Sequence, residues 1–410
     1  MIRPGIKSFL VTVIVFTALT CIDPYVPKFS SSKPVLVVEG IITNENIGYT
    51  IKLSQSVRDR DSSSVKISDA TVWITDDEGV VTNLNPAGSG LYRTDSLTFR
   101  GETGKSYQLH IKTSNGSVYA SDTCRMLPVP DIDTLYYQKE TRLSDDQTVS
   151  RKGLAIYLNS KKGTGDKYFL RWEYDEDWKF RVPDPTTYVY QNDSTIYPIP
   201  PAQVKEFCWK SSKSGEIMTG GVLPGSEGQI ENQSIKFIAP EESDRLTVRY
   251  SILVKQYSIS QKEYDFWNNL SQVSETDGNI FGPQPFSVLS NVKNTEDPSE
   301  AVLGYFEVSA VSQKRLYINF EETLSMNLPF YSYNCQRIVV SPSDYDVNPW
   351  AQPMTFDDLY YMYIGTKGYS FVEPIFDANG ALTKMVFSTS VCSDCELTGS
   401  LTRPDFWTDK

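Results

Sequence analysis

The sequence predicts a mainly β protein. An N-terminal immunoglobulin-like β-sandwich is expected over residues 33–127, followed by a larger β-rich domain over 128–410 with one or two short helices. Three observations predict this. Short runs of alternating apolar and polar residues recur at the spacing of sandwich strands, with turn residues between them. Tyr (25), Phe (19) and Trp (7) are plentiful, and aromatic side chains suit the pleated, half-buried surface of a sheet. The 410 residues exceed one ordinary domain of about 100–200 residues. The break at Pro128-Val129-Pro130 divides them, because proline cannot donate to a strand ladder.

The chain begins with Arg3 and Lys7, then the apolar run 9–16, then Thr17-Ala18-Leu19-Thr20-Cys21. A basic start followed by an apolar stretch of this length is the pattern of an export signal, too short for a membrane span of about 20 residues. Residues 1–20 resemble a bacterial lipoprotein signal peptide, with Cys21 in the lipidation position. Ala18 departs from the leucine most common three residues ahead of that cysteine. The expectation is attachment to the membrane through acyl chains on Cys21, which takes its thiol out of disulfide chemistry. Residues 21–32, rich in Pro and Ser, are expected to form a tether.

In the front domain, strands are expected at 35–42, 49–53, 70–75, 80–84, 107–112 and 117–121. Turns are expected at Asp76-Asp77-Glu78-Gly79, Gly88-Ser89-Gly90, Gly101-Glu102-Thr103-Gly104 and Asn115-Gly116, the last being the strongest hairpin signal.

In the rear domain, Trp172, Tyr174, Trp178 and Phe180 share one parity, while Arg171, Glu173, Asp175, Asp177 and Lys179 share the other, with Glu176 as the exception. A strand or hairpin with an aromatic and a charged face follows from the two-residue period. The aromatic row reads as core, or as a platform for sugars or peptides. A further strand over 246–257 leads into Ser260-Gln261-Lys262-Glu263, a capping box in which side chains satisfy the first free backbone donors of a helix. Tyr264, Trp267 and Leu270 give that helix a face to dock on the sheet. Gly278 and Pro283-Gln284-Pro285 are expected to end it. Thr355-Phe356-Asp357-Asp358 marks a second short helix carrying Leu359 and Tyr363.

The composition excludes several chemistries. A formal net charge of −12 repels phosphate backbones, so nucleic acid is not an expected partner. His110 is the one histidine, on a strand at the parity of Gln108 and Lys112, and reads as an exposed strand residue rather than a catalytic base. No catalytic residue, metal ligand set or cofactor is assigned. Cys21 aside, Cys124, Cys208, Cys335, Cys392 and Cys395 make an odd number, so at least one stays unpaired. A structural disulfide involving Cys392 and Cys395 is the main expectation, ahead of half a zinc site or a redox pair. The run Asp76-Asp77-Glu78 lacks the spaced ligands of a calcium loop and reads as a solvated turn.

The motifs Glu263-Tyr264-Asp265-Phe266-Trp267, Phe281-Gly282-Pro283-Gln284-Pro285 and Val302-Leu303-Gly304-Tyr305-Phe306 are followed by Cys392-Ser393-Asp394-Cys395 and Pro404-Asp405-Phe406-Trp407. Their order resembles the Bacteroidetes lipoproteins grouped as domain of unknown function 4249. The resemblance implies an outer-membrane lipoprotein with an immunoglobulin-like or transthyretin-like front domain, often encoded beside a TonB-dependent receptor, with no established activity. The resulting expectation is a non-enzymatic accessory or ligand-binding protein, anchored in the outer membrane and associated with such a transporter. A carboxylate-dependent glycan or peptide hydrolase and a purely structural surface protein stay open as alternatives.

Overall fold

The computed structural model describes residues 34–56, 64–143, 148–165, 167–192, 195–225, 228–275, 290–345 and 352–409. The expected signal peptide, Cys21, the tether, Gly278 and the Pro283-Gln284-Pro285 turn lie outside the described residues.

Alternation puts one side chain in two into the interior, and the front of the chain builds a two-sheet sandwich on that rule. Its strands are β1 (Leu36–Ile42), β2 (Thr50–Gln55), β3 (Val65–Lys66), β4 (Thr71–Asp76), β5 (Val81–Asn83), β6 (Asn85–Pro86), β7 (Leu91–Arg93), β8 (Ser106–Lys112), β9 (Val118–Ser121) and β10 (Cys124–Arg125). All six expected strands are present. Two strands from far along the chain complete the sheets, β20 (Val292–Asn294) and β21 (Val302–Val308). One sheet runs β21-β1-β2-β7-β6 with β3 beside β2, and the other runs β20-β9-β8-β4-β5 with β10 beside β8. The sandwich is therefore not closed by residues 33–127 alone. Val38, Ile51, Leu53, Ile74, Leu109, Ile111 and Phe306 fill the space between the sheets. At Asn115-Gly116, Gly116 takes a φ of 95° that a hairpin turn requires.

β21 lies parallel to β1, with Leu36 opposite Val302 and Ile42 opposite Val308. Gly304 makes that pairing possible: its φ is +82°, and a Cβ there would come within 2.1 Å of the Val38 carbonyl oxygen. The glycine of the Val302-Leu303-Gly304-Tyr305-Phe306 motif thus serves the joining of distant strands.

The rear part packs two sheets. β11 (Ile132–Leu143), β12 (Ser150–Ser160) and β18 (Gln233–Ile238) form one. The other contains β13 (Tyr168–Arg181), β16 (Phe207–Lys213), β17 (Met218–Val222), β19 (Arg249–Ile259) and β22 (Val311–Asn319), ordered β16-β13-β19-β22 with β17 also on β13. The 14-residue β13 is a single strand, and its aromatic parity packs with Leu154, Ile156, Leu158, Tyr250, Ile252 and Val254. Glu176, the charged residue on that parity, is only 1 % exposed. Arg245 holds it through three contacts, the shortest 2.6 Å, and Tyr250 Oη donates to it at 2.9 Å. Burial alone would raise the Glu176 pKa, but the hydrogen bonds and charge of Arg245 bring it below the ordinary carboxylate value.

A third, smaller unit divides the expected 128–410 domain. It combines the hairpin β14 (Tyr188–Asn192) and β15 (Thr195–Pro198) with the sheet of β23 (Arg337–Val340), β24 (Tyr369–Phe376) and β25 (Leu382–Thr389). The helix Phe356–Lys367 covers them, burying Leu359 and Tyr363 against Phe371, Met385 and Phe387. Thr355 and Asp358 cap it reciprocally as the sequence predicts, and Gly368 ends it in the left-handed conformation.

A candidate functional site at the seam between front and rear domains

The helix α1 (Gln261–Glu275) leaves β19 directly and lies where front and rear meet. Ser260 and Glu263 form the expected capping box: the Ser260 N–H donates to Glu263 Oε2 at 2.5 Å, and the Glu263 N–H donates to Ser260 Oγ at 3.2 Å. Tyr264 and Trp267 pack on Phe169, Tyr257 and Ile259 of the rear sheet. Phe266, outside the face read from the sequence, is the more buried residue and meets Tyr305 of β21 with ring centres 4.6 Å apart. The helix is thus a wedge with one side on each domain.

Beneath it, Arg171 projects from the charged parity of β13 and is 5 % exposed. Its Nη2 donates to Glu307 Oε1 of β21 at 2.9 Å, and its Nη1 donates to Glu173. Ser309 Oγ donates to Glu307 Oε1 at 3.0 Å and Trp267 Nε1 donates to Glu307 Oε2 at 3.2 Å. The guanidinium is stacked over the rings of Tyr257 and Trp267, 4.6 and 4.8 Å from their centres. Burial alone would lower the Arg171 pKa, but the charges of Glu307 and Glu173 and their hydrogen bonds raise it. Four elements, β13, β19, β21 and α1, therefore converge on one buried ion pair.

Two polar atoms near this pair, Arg171 Nε and Glu263 Oε1, are buried without a hydrogen-bond partner. Burial raises the Glu263 pKa and the neighbouring Glu307 charge raises it further, to about 7, against the opposing hydrogen bonds of Ser260 and of the Val308 backbone. An opening of about 330 Å³ reaches the seam from outside, with Asp122, Cys124, Arg125, Lys262, Glu263 and Tyr305 in its wall. Cys124 is a free thiol that burial, with the charge of Glu263, pushes up to about 12. The arrangement can hold or release one proton near neutrality, while the thiol is a poor nucleophile there.

The other sequence-predicted residues lie elsewhere. Trp172, Tyr174, Trp178 and Phe180 are buried in the rear core at 0, 4, 6 and 1 % exposure, so no external ligand can stack on them. That corrects the platform reading and leaves the core reading. Trp172 Nε1 donates to Gln256 and Trp178 Nε1 to Asp244, each at 2.9 Å, which satisfies both indole donors inside. Cys392 and Cys395 both enter disulfides, but with separate distant partners: Cys335 pairs with Cys392, and Cys208 with Cys395. His110 is half-buried, stacked on Trp73 and bonded through Nε2 to Thr75 Oγ1 at 2.9 Å. Burial lowers its pKa. At Asp76-Asp77-Glu78, Asp76 Oδ1 accepts the N–H groups of Glu78 and Val80, as a solvated turn requires.

Sequence reasoning noted Glu263 as a cap and Arg171 as part of a charged face, and it missed Glu307. No local signal marks Glu307, because its role depends on the parallel pairing of β21 with β1.

Residues 22–315 match the family described as Domain of unknown function (DUF4249). The chain belongs to the DUF4249 family. The matched residues carry the front sandwich, the rear sheets as far as Arg315 and every group of the seam. The motifs at 392–395 and 404–407 lie beyond them, as does most of the small third unit. No curated protein matches this DUF4249 chain.

Proposed function

We propose that this protein is an exported, lipid-anchored accessory or ligand-binding protein of the outer membrane that works with a TonB-dependent transporter and has no catalytic activity of its own. The observation that carries the export reading is the pair of disulfides Cys208–Cys395 and Cys335–Cys392, spanning 187 and 57 residues. Such bonds persist in oxidising compartments and are rare in the cytosol. With Cys124 reduced, they account for every cysteine except Cys21, the residue that the lipoprotein signal marks for acylation.

The geometry of the front sandwich supports an anchored arrangement. Its Ile42 end meets the rear domain, where the Val311 N–H donates to Asn44 Oδ1 at 2.7 Å and Lys255 pairs with Glu45 at 3.6 Å. Pro34 stands at the other end of β1. The residues between Cys21 and Pro34 reach at most about 45 Å when extended. A cleft of about 990 Å³ lies at the Pro34 end, with Gln55, Lys66, Asp69, Ser117 and Glu300 in its wall.

The test is purification of the native protein in mild detergent. Acyl chains on an N-terminal Cys21 and a co-purifying transporter are expected. An unacylated Cys21, or a cytosolic protein with reduced cysteines, would overturn the reading. Turnover of a glycan or peptide by the pure protein would replace it with the hydrolase alternative.

A further inference from the structure

The seam brings two buried carboxyls, Glu263 and Glu307, together beside one guanidinium, Arg171. Glu263 sits in the first turn of α1 with Oε2 occupied by the Ser260 N–H and Oε1 without a close hydrogen bond, while the Val308 backbone of β21 also acts on the carboxyl in favour of its charged form. An unpartnered buried oxygen is tolerable in a neutral carboxyl and costly in a carboxylate. The charged groups that face it come from every surrounding element. Lys262 lies beside it on α1 and is drawn away to Asp122, with Nζ to Oδ2 at 3.1 Å. Asp122, Cys124 and Arg125 come from the front sandwich, and Tyr305 from β21. Glu307 lies one strand position beyond Phe306, and Arg171 is its positive partner, Nη2 to Oε1 at 2.9 Å.

We propose that the seam is a pH-operated latch: protonated Glu263 holds the first turn of α1 closed between the two domains, and ionised Glu263, beside Glu307, loosens it. The wedge role of α1 carries the effect outward, because, in the turn after Glu263, Phe266 meets Tyr305 of the front sandwich while Trp267 stacks with Arg171 of the rear sheet and donates to Glu307 of the front. The reach of the outer opening to Glu263 gives solvent a route for the proton. A group with a raised folded pKa binds its proton in the closed form and loses it when the turn opens. The closed form is therefore fully favoured below the ordinary glutamate range and loses that advantage as pH rises through about 7.

The experiment is hydrogen exchange by mass spectrometry on the full chain from pH 5 to 8.5, corrected for the intrinsic rate at each pH. Protection of amides 261–267 is expected to fall about tenfold per pH unit up to about pH 7 and then level off. Glu263→Gln keeps a neutral side chain and should remove the slope while retaining protection. Ser260→Ala keeps the backbone N–H on the carboxylate but removes the serine side chain that also favours the charged form, and should shift the plateau to higher pH. Wild-type protection that is flat with pH overturns the latch whatever the variants do. An unchanged slope in Glu263→Gln, or an unmoved plateau in Ser260→Ala, overturns it as well.

Discussion

Replacing the Cys208–Cys395 pair by alanines should remove the covalent tie between the C-terminal segment and β16 of the rear sheet. In the chain-entropy treatment, a closed loop of n residues withdraws about (2.1 + 1.5R ln n) cal/mol/K from the unfolded chain. The separation of 187 residues gives about 5 kcal/mol at 25 °C, and the 57 of Cys335–Cys392 gives about 4 kcal/mol. The two loops are nested. With the inner bridge closed, the outer one spans about 130 residues, and the logarithm takes only about 0.3 kcal/mol from its share. Both sulfurs of the outer bridge are fully enclosed, so their removal also leaves small cavities that add to the loss. Urea unfolding followed by tryptophan fluorescence reads this directly, since Trp209 follows Cys208 on β16 and meets Trp407 edge-on at 6.3 Å. The oxidised wild type should exceed the variant by roughly 4–5 kcal/mol, and a reductant should bring it down to the level of a variant lacking both bridges. Variant and wild type unfolding within about 1 kcal/mol of each other would refute the loop argument.

Arg171→Met strands Glu307 in the seam beside Glu263 and should cost about 3–5 kcal/mol, less at acid pH where the carboxyls can take up protons; a urea midpoint unchanged from wild type would count against the ion pair. Gly304→Ala places a Cβ within 2.1 Å of the Val38 carbonyl oxygen at a φ of +82°. It should cost at least about 2 kcal/mol, seen as lost exchange protection in β1 and β21, and intact protection there would show that the strands part easily. Glu176, its pKa lowered in the folded state, stabilises above the ordinary carboxylate range and loses that contribution as pH falls through its folded value. Acid unfolding of wild type should therefore be steeper than that of Glu176→Gln, and parallel curves would remove Glu176 from the account.

Local structure was readable where a residue's role is settled within one or two turns of chain. The capping boxes at Ser260 and Thr355, the Asn115-Gly116 hairpin and the alternation of β13 each depend on neighbours a few positions away, and each stands in the structure. The exception within that alternation was also visible, since Glu176 on an aromatic parity demands a partner. Arg245, which supplies it, is 69 residues away and carries no mark of its own.

The candidate site was unreadable for a different physical reason: nothing in it is local except the cap. β21 completes a sheet begun more than 260 residues earlier, and parallel pairing needs a long crossover rather than a turn with its own signature. That single pairing moves the domain boundary, explains Gly304, and delivers Glu307 to Arg171. It also makes the front sandwich dependent on chain that has already passed through the rear sheets, because β20 and β21 arrive only after β19 and α1. The rear sheet in turn takes its edge strand β22 from the chain that follows β21, so each of the two is completed by chain that has passed through the other. A joint that is crossed by both interleaved sheets, holds a buried charge pair beside a second buried carboxyl, and is spanned by one wedge helix is where a modest change in charge has most effect on how the two domains meet.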